Sequence, residues 1–191
     1  DPRQTPRPAP ASFALGSAKV KLTVDDGARV EAELTIEVLD DDWVLIPVLP
    51  AATAVDTATV GGAAVQLIAT PDGLAWATRG RGAHVMKLGY RLDPARTDAG
   101  RSLAVPLPRA SSIQLEATLP GTGLDVAVIP SAGMSATAAG GVTRVRATVP
   151  AAEGVQLSWR LPAAASTISR ASYSGRLAGD AAIWTARISV E

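Results

Sequence analysis

The stretch Lys19-Val20-Lys21-Leu22-Thr23-Val24-Asp25-Asp26-Gly27-Ala28-Arg29-Val30-Glu31-Ala32-Glu33-Leu34-Thr35-Ile36-Glu37-Val38 decides the fold class. Val20, Leu22 and Val24 alternate with Lys19, Lys21 and Thr23. Beyond the turn, Ala32, Leu34, Ile36 and Val38 alternate with Glu31, Glu33, Thr35 and Glu37. A period of two places apolar side chains on one face of a strand and polar ones on the other. Asp-Gly supplies the positive φ of a tight turn, so the stretch reads as a hairpin with one buried face.

The same grammar runs outward along the chain. Residues 43–49 read as a strand, and Pro47 assigns it to a sheet edge because proline lacks a ladder donor. Strands are expected over 57–60, 64–69 and 74–78. In the strand 83–92, His84, Met86, Leu88, Tyr90 and Leu92 share a face. Residues 103–107 read as a short edge strand. Further alternation marks 113–119, 124–128, 145–149, 155–161 and 182–190. No stretch keeps helical spacing for three turns, although 50–56 and 93–98 have room for a single turn each.

These observations predict an all-β chain of antiparallel sandwich architecture, organised as two tandem immunoglobulin-like or fibronectin-like units. The resemblance to those sandwiches lies in strand grammar alone, since the paired Cys of the former are missing. Residues 1–11 read as a proline-rich tether, 12–108 as a first sandwich unit and 109–191 as a second. Ala32–Glu37 also matches Ala186–Glu191 in chemistry at every position except Glu33 and Arg187, which predicts an internal repeat. On that reading the final strands begin a further repeat of a longer array or complete the first sheet.

Composition narrows the function. The 191 residues balance 18 Lys+Arg against 18 Asp+Glu, with one His and no Cys. The absence of Cys removes disulfide frameworks, thiolate metal sites and cysteine nucleophiles. Neutral charge gives no electrostatic basis for nucleic-acid binding. No apolar run reaches the roughly 18–20 residues that span a bilayer. The four prolines of the first ten residues point to an exported bacterial protein, periplasmic or extracellular.

Candidate sites are few. His84 lies in phase with Met86 and Leu88, so it reads as a structural histidine, and no catalytic residue is assigned. Gly-x-Ser-x-Gly, His-Glu-x-x-His and phosphate-loop motifs are absent. Asp40, Asp41 and Asp42 form the densest acidic group and a weak candidate Ca²⁺ site, against the plainer reading of a solvated turn. Trp43 and Trp76 are candidate stacking platforms for a sugar, whereas Trp159 and Trp184 read as core. Arg79 and Arg81 flank a glycine in a candidate anion nest, with a solvated hairpin loop as the plainer reading. Arg144, Arg146 and Arg160 read as surface ion-pair residues. No cofactor is expected. The leading expectation is a non-enzymatic structural or protein-interaction module of the cell envelope, associating with a protein partner or itself through edge strands. The alternative is a carbohydrate-binding module using surface Trp. An acid-based hydrolase, with paired carboxylates about 5–9 Å apart, ranks third.

Overall fold

A computed structural model describes residues 11–98, 100–162, 168–178 and 181–190, the last two stretches by their backbone alone. The chain is all-β, with no helix among the described residues. It divides into a compact unit, Asp1–Leu161, and a small one, Pro162–Glu191.

In the first unit, β1 (Phe13–Val24) and β2 (Ala28–Val38) form the expected hairpin. The turn differs from expectation: Gly27 does not adopt a positive φ. Asp25 makes the turn instead, its Oδ1 accepting from the Gly27 N–H at 3.0 Å and its own N–H donating to the Gly27 carbonyl at 2.9 Å. The remaining strands are β3 (Trp43–Leu49), β4 (Val55–Val60), β5 (Ala63–Ala64), β6 (Leu67–Thr70), β7 (Gly73–Arg79), β8 (Gly82–Leu92), β9 (Ala95–Thr97), β10 (Gly100–Pro106), β11 (Ser112–Pro120), β12 (Asp125–Ile129), β13 (Gly133–Ala139), β14 (Val142–Pro150) and β15 (Gly154–Arg160). They build an eight-stranded sheet in the order β13-β14-β11-β1-β2-β8-β4-β5, a four-stranded sheet β12-β15-β10-β9 and a three-stranded sheet β3-β7-β6.

The boundary expected at residues 108 and 109 does not separate two sandwiches. β11 pairs in parallel with β1, matching Ala18, Val20 and Leu22 to Ile113, Leu115 and Ala117. That register keeps both apolar sets on one face, which a one-residue slip would reverse. The two halves therefore share one sheet, joined by a parallel pair inside an otherwise antiparallel assembly. A single buried cluster draws on all three sheets: Val20, Leu34, Leu88, Leu115 and Val145 from the large one, Ile46 and Trp76 from the three-stranded, Val105 and Leu157 from the four-stranded. A shared core removes more apolar surface from water than two thin cores of the same chain.

Arg109, expected near the junction of two domains, is instead a clasp. Its Nη2 donates to the Asp72 carbonyl and to Glu153 Oε1, both at 2.8 Å, and its N–H donates to the Val48 carbonyl at 3.0 Å. The side chain ties the turns at Asp72 and Glu153, and the backbone N–H adds strand β3. Two further expectations are corrected. The single turn allowed at 93–98 contains strand β9, and 103–107 belongs to β10, which lies between β15 and β9 and not at an edge. β3 is an edge, as Pro47 requires.

In the second unit, β16 (Ile168–Ala178) and β17 (Ala181–Val190) form an antiparallel hairpin. The strand expected at 182–190 falls in β17, while the side chain of Trp184 and residues 1–10 of the expected tether lie outside what the structure describes.

Candidate functional site

Two surfaces of the large sheet deserve comparison with the expected sites. The first is its open face. Strand registers align Ser135, Arg146, Glu116, Lys21, Glu31, Gly89 and Thr57 in one row across seven strands. A second row runs Gly133, Thr148, Gln114, Lys19, Glu33, Lys87 and Thr59. Charges alternate along both. Glu116 accepts from Arg146 Nε at 3.0 Å, and Lys87 lies 3.8 Å from Glu33. All three lysines of the chain stand here, around a hollow of about 800 Å³. Each opposite-charge pair across strands contributes roughly 0.2–1 kcal/mol, so this face largely answers its own charge.

The second surface is the β13 edge. β13 has the sequence Gly-Met-Ser-Ala-Thr-Ala-Ala, and all seven residues are exposed. It is the terminal strand of the eight-stranded sheet, paired on one side only, with β14. Every second residue of such a strand turns its N–H and C=O away from the sheet. The other edges of the Asp1–Leu161 unit are blunted. β5 has two residues, β9 three with Arg96 at its centre, and β6 four; β3 carries Pro47, and β12 starts at Asp125 and is followed by Pro130. β13 alone among these is long, uncharged and free of proline. Met134, 42% exposed, stands in register with buried Ala147 and Leu115 but beyond the cover of the smaller sheets.

Alternation does not reveal β13, because neither of its faces is buried and its side chains are small. Gly140-Gly141 was the available signal. Both residues have positive φ, +60° and +81°, as a two-residue hairpin turn requires, and they lead into β14.

The expected site residues are placed as follows. Trp43 is exposed, 70% of its surface open, and the Arg79 guanidinium lies 5.6 Å from its ring centre. Trp76 is only 7% exposed; it points into the core, with the His84 ring edge-on at 5.3 Å, and offers no external platform. The register explains the correction, since Trp76 pairs with buried Ile46 and with Leu67, which packs against the core. His84 stands beside Met86 on the same face, as expected of a structural histidine. Asp40 Oδ1 accepts from the Asp42 N–H at 3.2 Å, and Asp41 pairs with Arg81 at 3.2 Å. The acidic turn and the Arg79–Arg81 loop thus meet one another. Among the described residues, no three His, Asp or Glu side chains converge as metal ligands would. Arg146 and Arg160 form ion pairs, with Glu116 and Asp125, but lie on different sheets and make no common stripe. Tyr90 is buried and donates to the Pro106 carbonyl; burial pushes its hydroxyl well above its ordinary pKa. No helix among the described residues is long and apolar enough to cross a membrane.

No protein-family model matches the chain, and no curated protein matches its sequence. Solved structures do resemble it in fold. The M1 zinc metallopeptidase of Deinococcus radiodurans aligns over 93% of this chain and 47% of its own, at 12% identity and TM-score 0.51. A two-domain M1 zinc metallopeptidase bound to L-tryptophan aligns at 13% identity and TM-score 0.51, over 93% of this chain and 48% of that one. A Legionella pneumophila protein provisionally named as nutrient-binding aligns at 13% identity and TM-score 0.56, over 78% of this chain and 67% of its own. At these identities the likeness concerns the fold alone. This chain spans about half the length of the metallopeptidase chains.

Proposed function

We propose that the chain is a non-enzymatic interaction module of the bacterial cell envelope, which engages a protein strand through the β13 edge. One observation carries the reading: β13 is a seven-residue, uncharged, proline-free terminal strand in a unit whose other edges are blunted. Open edges invite pairing with other chains, and proteins commonly close those they do not use. Adding a strand to such an edge draws affinity from main-chain hydrogen bonds. The zinc and peptidase activity named for the structural neighbours belong to those proteins.

Display of random dodecapeptides against the immobilised protein tests the reading. Binding peptides are expected to be extended and to lose binding when Ala136→Pro removes an outward-facing ladder donor from β13, with circular dichroism unchanged. Peptides that bind the Ala136→Pro protein equally well, or no binding peptides at all, would overturn it.

A second reading rests on Trp43. Its exposed ring beside Leu45 and Arg79 has the character of a sugar-stacking platform. A glycan array with Trp43→Ala as control separates the two: saccharide binding lost with the ring supports the platform, and a silent array removes it.

A further inference from the structure

We propose that the strand received by β13 is the β13 of a second copy, paired antiparallel across a dyad at Ala136, so that two eight-stranded sheets become one. This inference rests on the edge-pairing function above and names its partner.

Charge is the first argument. An antiparallel self-pair brings identical strands together, so each ionised residue near the dyad would meet its own copy. β13 has none. The nearest ionised side chains in register are Arg144 and Arg146 on β14, opposite Thr137 and Ser135. Across the dyad, β14 and its copy would be three strand spacings apart, roughly 14 Å, which exceeds the screening length of roughly 8–10 Å at physiological salt. Self-pairing therefore costs little in repulsion. At β12 or β9 the same operation would bring Asp125 or Arg96 towards its own copy.

Side-chain fit is the second. A dyad at Ala136 sets Ser135 opposite Thr137 of the other copy, and Met134 opposite Ala138. Ser and Thr form a favourable cross-strand hydroxyl pair. On the opposite face, a large apolar side chain lies over a small one. Met134 is the only large side chain of β13, and it is exposed in the single chain. The pairing covers it with no competing bulk.

Closure is the third. A dyad uses the same surface on both partners, and each copy spends its open edge in the contact. The remaining edges of the Asp1–Leu161 unit are short, charged or carry proline, so this unit offers no second edge for growth of this kind.

The chain has no cysteine, which makes a single introduced thiol decisive. A dyad at Ala136 holds the two position-136 Cα atoms about 4.5–5.5 Å apart, within disulfide reach. Ala138 is also exposed and faces the same side, but its two copies would be roughly 13 Å apart along the strands. Under mild oxidation, Ala136→Cys is expected to cross-link at least tenfold faster than Ala138→Cys. Light scattering should give the wild-type protein twice its 19.5 kDa mass at high concentration, and Ala136→Lys the single mass with an unchanged circular dichroism spectrum. A wild-type protein that stays monomeric, a dimer that survives Ala136→Lys, or equal cross-linking at 136 and 138 overturns the proposal. If peptides still bind in a manner that Ala136→Pro abolishes while the protein remains monomeric, edge pairing survives and only the self-partner fails.

Discussion

β3 and β13 are both seven-residue edge strands, yet they are held by opposite means. β3 buries Val44, Ile46 and Val48 on one face and closes its edge with Pro47. β13 buries no side chain and leaves its edge open. A strand anchored by packing has little to gain from a new neighbour. One anchored only by its ladder with β14 gains a second ladder from pairing. The contrast separates a structural edge from one suited to exchange, although the two have the same length.

The largest effect that tests this contrast lies in β3. Ile46 is fully buried against the shared core, so Ile46→Ala removes packed apolar volume and leaves a cavity. We expect a loss of about 2–5 kcal/mol, read by urea denaturation. A loss below about 1 kcal/mol would mean that β3 is not packed as a core strand, and the contrast with β13 would collapse.

An intermediate case is Tyr90, in the interior strand β8, which adds one polar tie to its packing. Its hydroxyl donates to the Pro106 carbonyl at the end of β10. Tyr90→Phe keeps the ring and strands that carbonyl, at a cost of about 1 kcal/mol. The pH dependence has a definite sign. Burial raises the folded-state pKa above the ordinary value of about 10, so the stabilising effect of the neutral hydroxyl is complete below that pH. Above it, the unfolded tyrosine ionises while the folded one keeps its proton, and stability falls as pH rises. Tyr90→Phe should flatten that part of the alkaline decline. An identical decline in both proteins would show that Tyr90 does not drive it.

The same physics explains which parts of the molecule are legible in the amino-acid sequence. Lys19–Val38 announces its strands because one face is buried and the other wet, and alternation records that asymmetry directly. The all-β class and the inward face of His84 follow from it, and Pro47 adds the edge position of β3. Alternation carries no information about which strand becomes a neighbour, however. The β1–β11 pair joins residues about a hundred positions apart, and it merges two expected units into one sheet. Trp76 illustrates a local failure: its aromatic character fits a platform or a core equally well, and only the pairing with Ile46 and Leu67 decides. β13 is hidden for the opposite reason. A strand exposed on both faces has no asymmetry to write into its sequence, so the element proposed to carry function leaves only the Gly140-Gly141 turn as its mark.

The smallest expected effect is therefore the most informative. Met134→Ala removes the one large side chain of β13, already 42% exposed and outside the packed cluster. In the isolated chain the change should alter stability by no more than about 0.5 kcal/mol, as for other surface substitutions. Denaturation at low protein concentration measures this term alone. At high concentration the wild-type strand would cover Met134 in a partner's sheet, and the variant would lose that contribution. The gap between the two proteins should then widen with concentration, because a partner that binds only the folded state stabilises it by mass action. A large loss at low concentration would place Met134 in the fold's own core and make β13 a structural edge after all, held like β3 by its side chains.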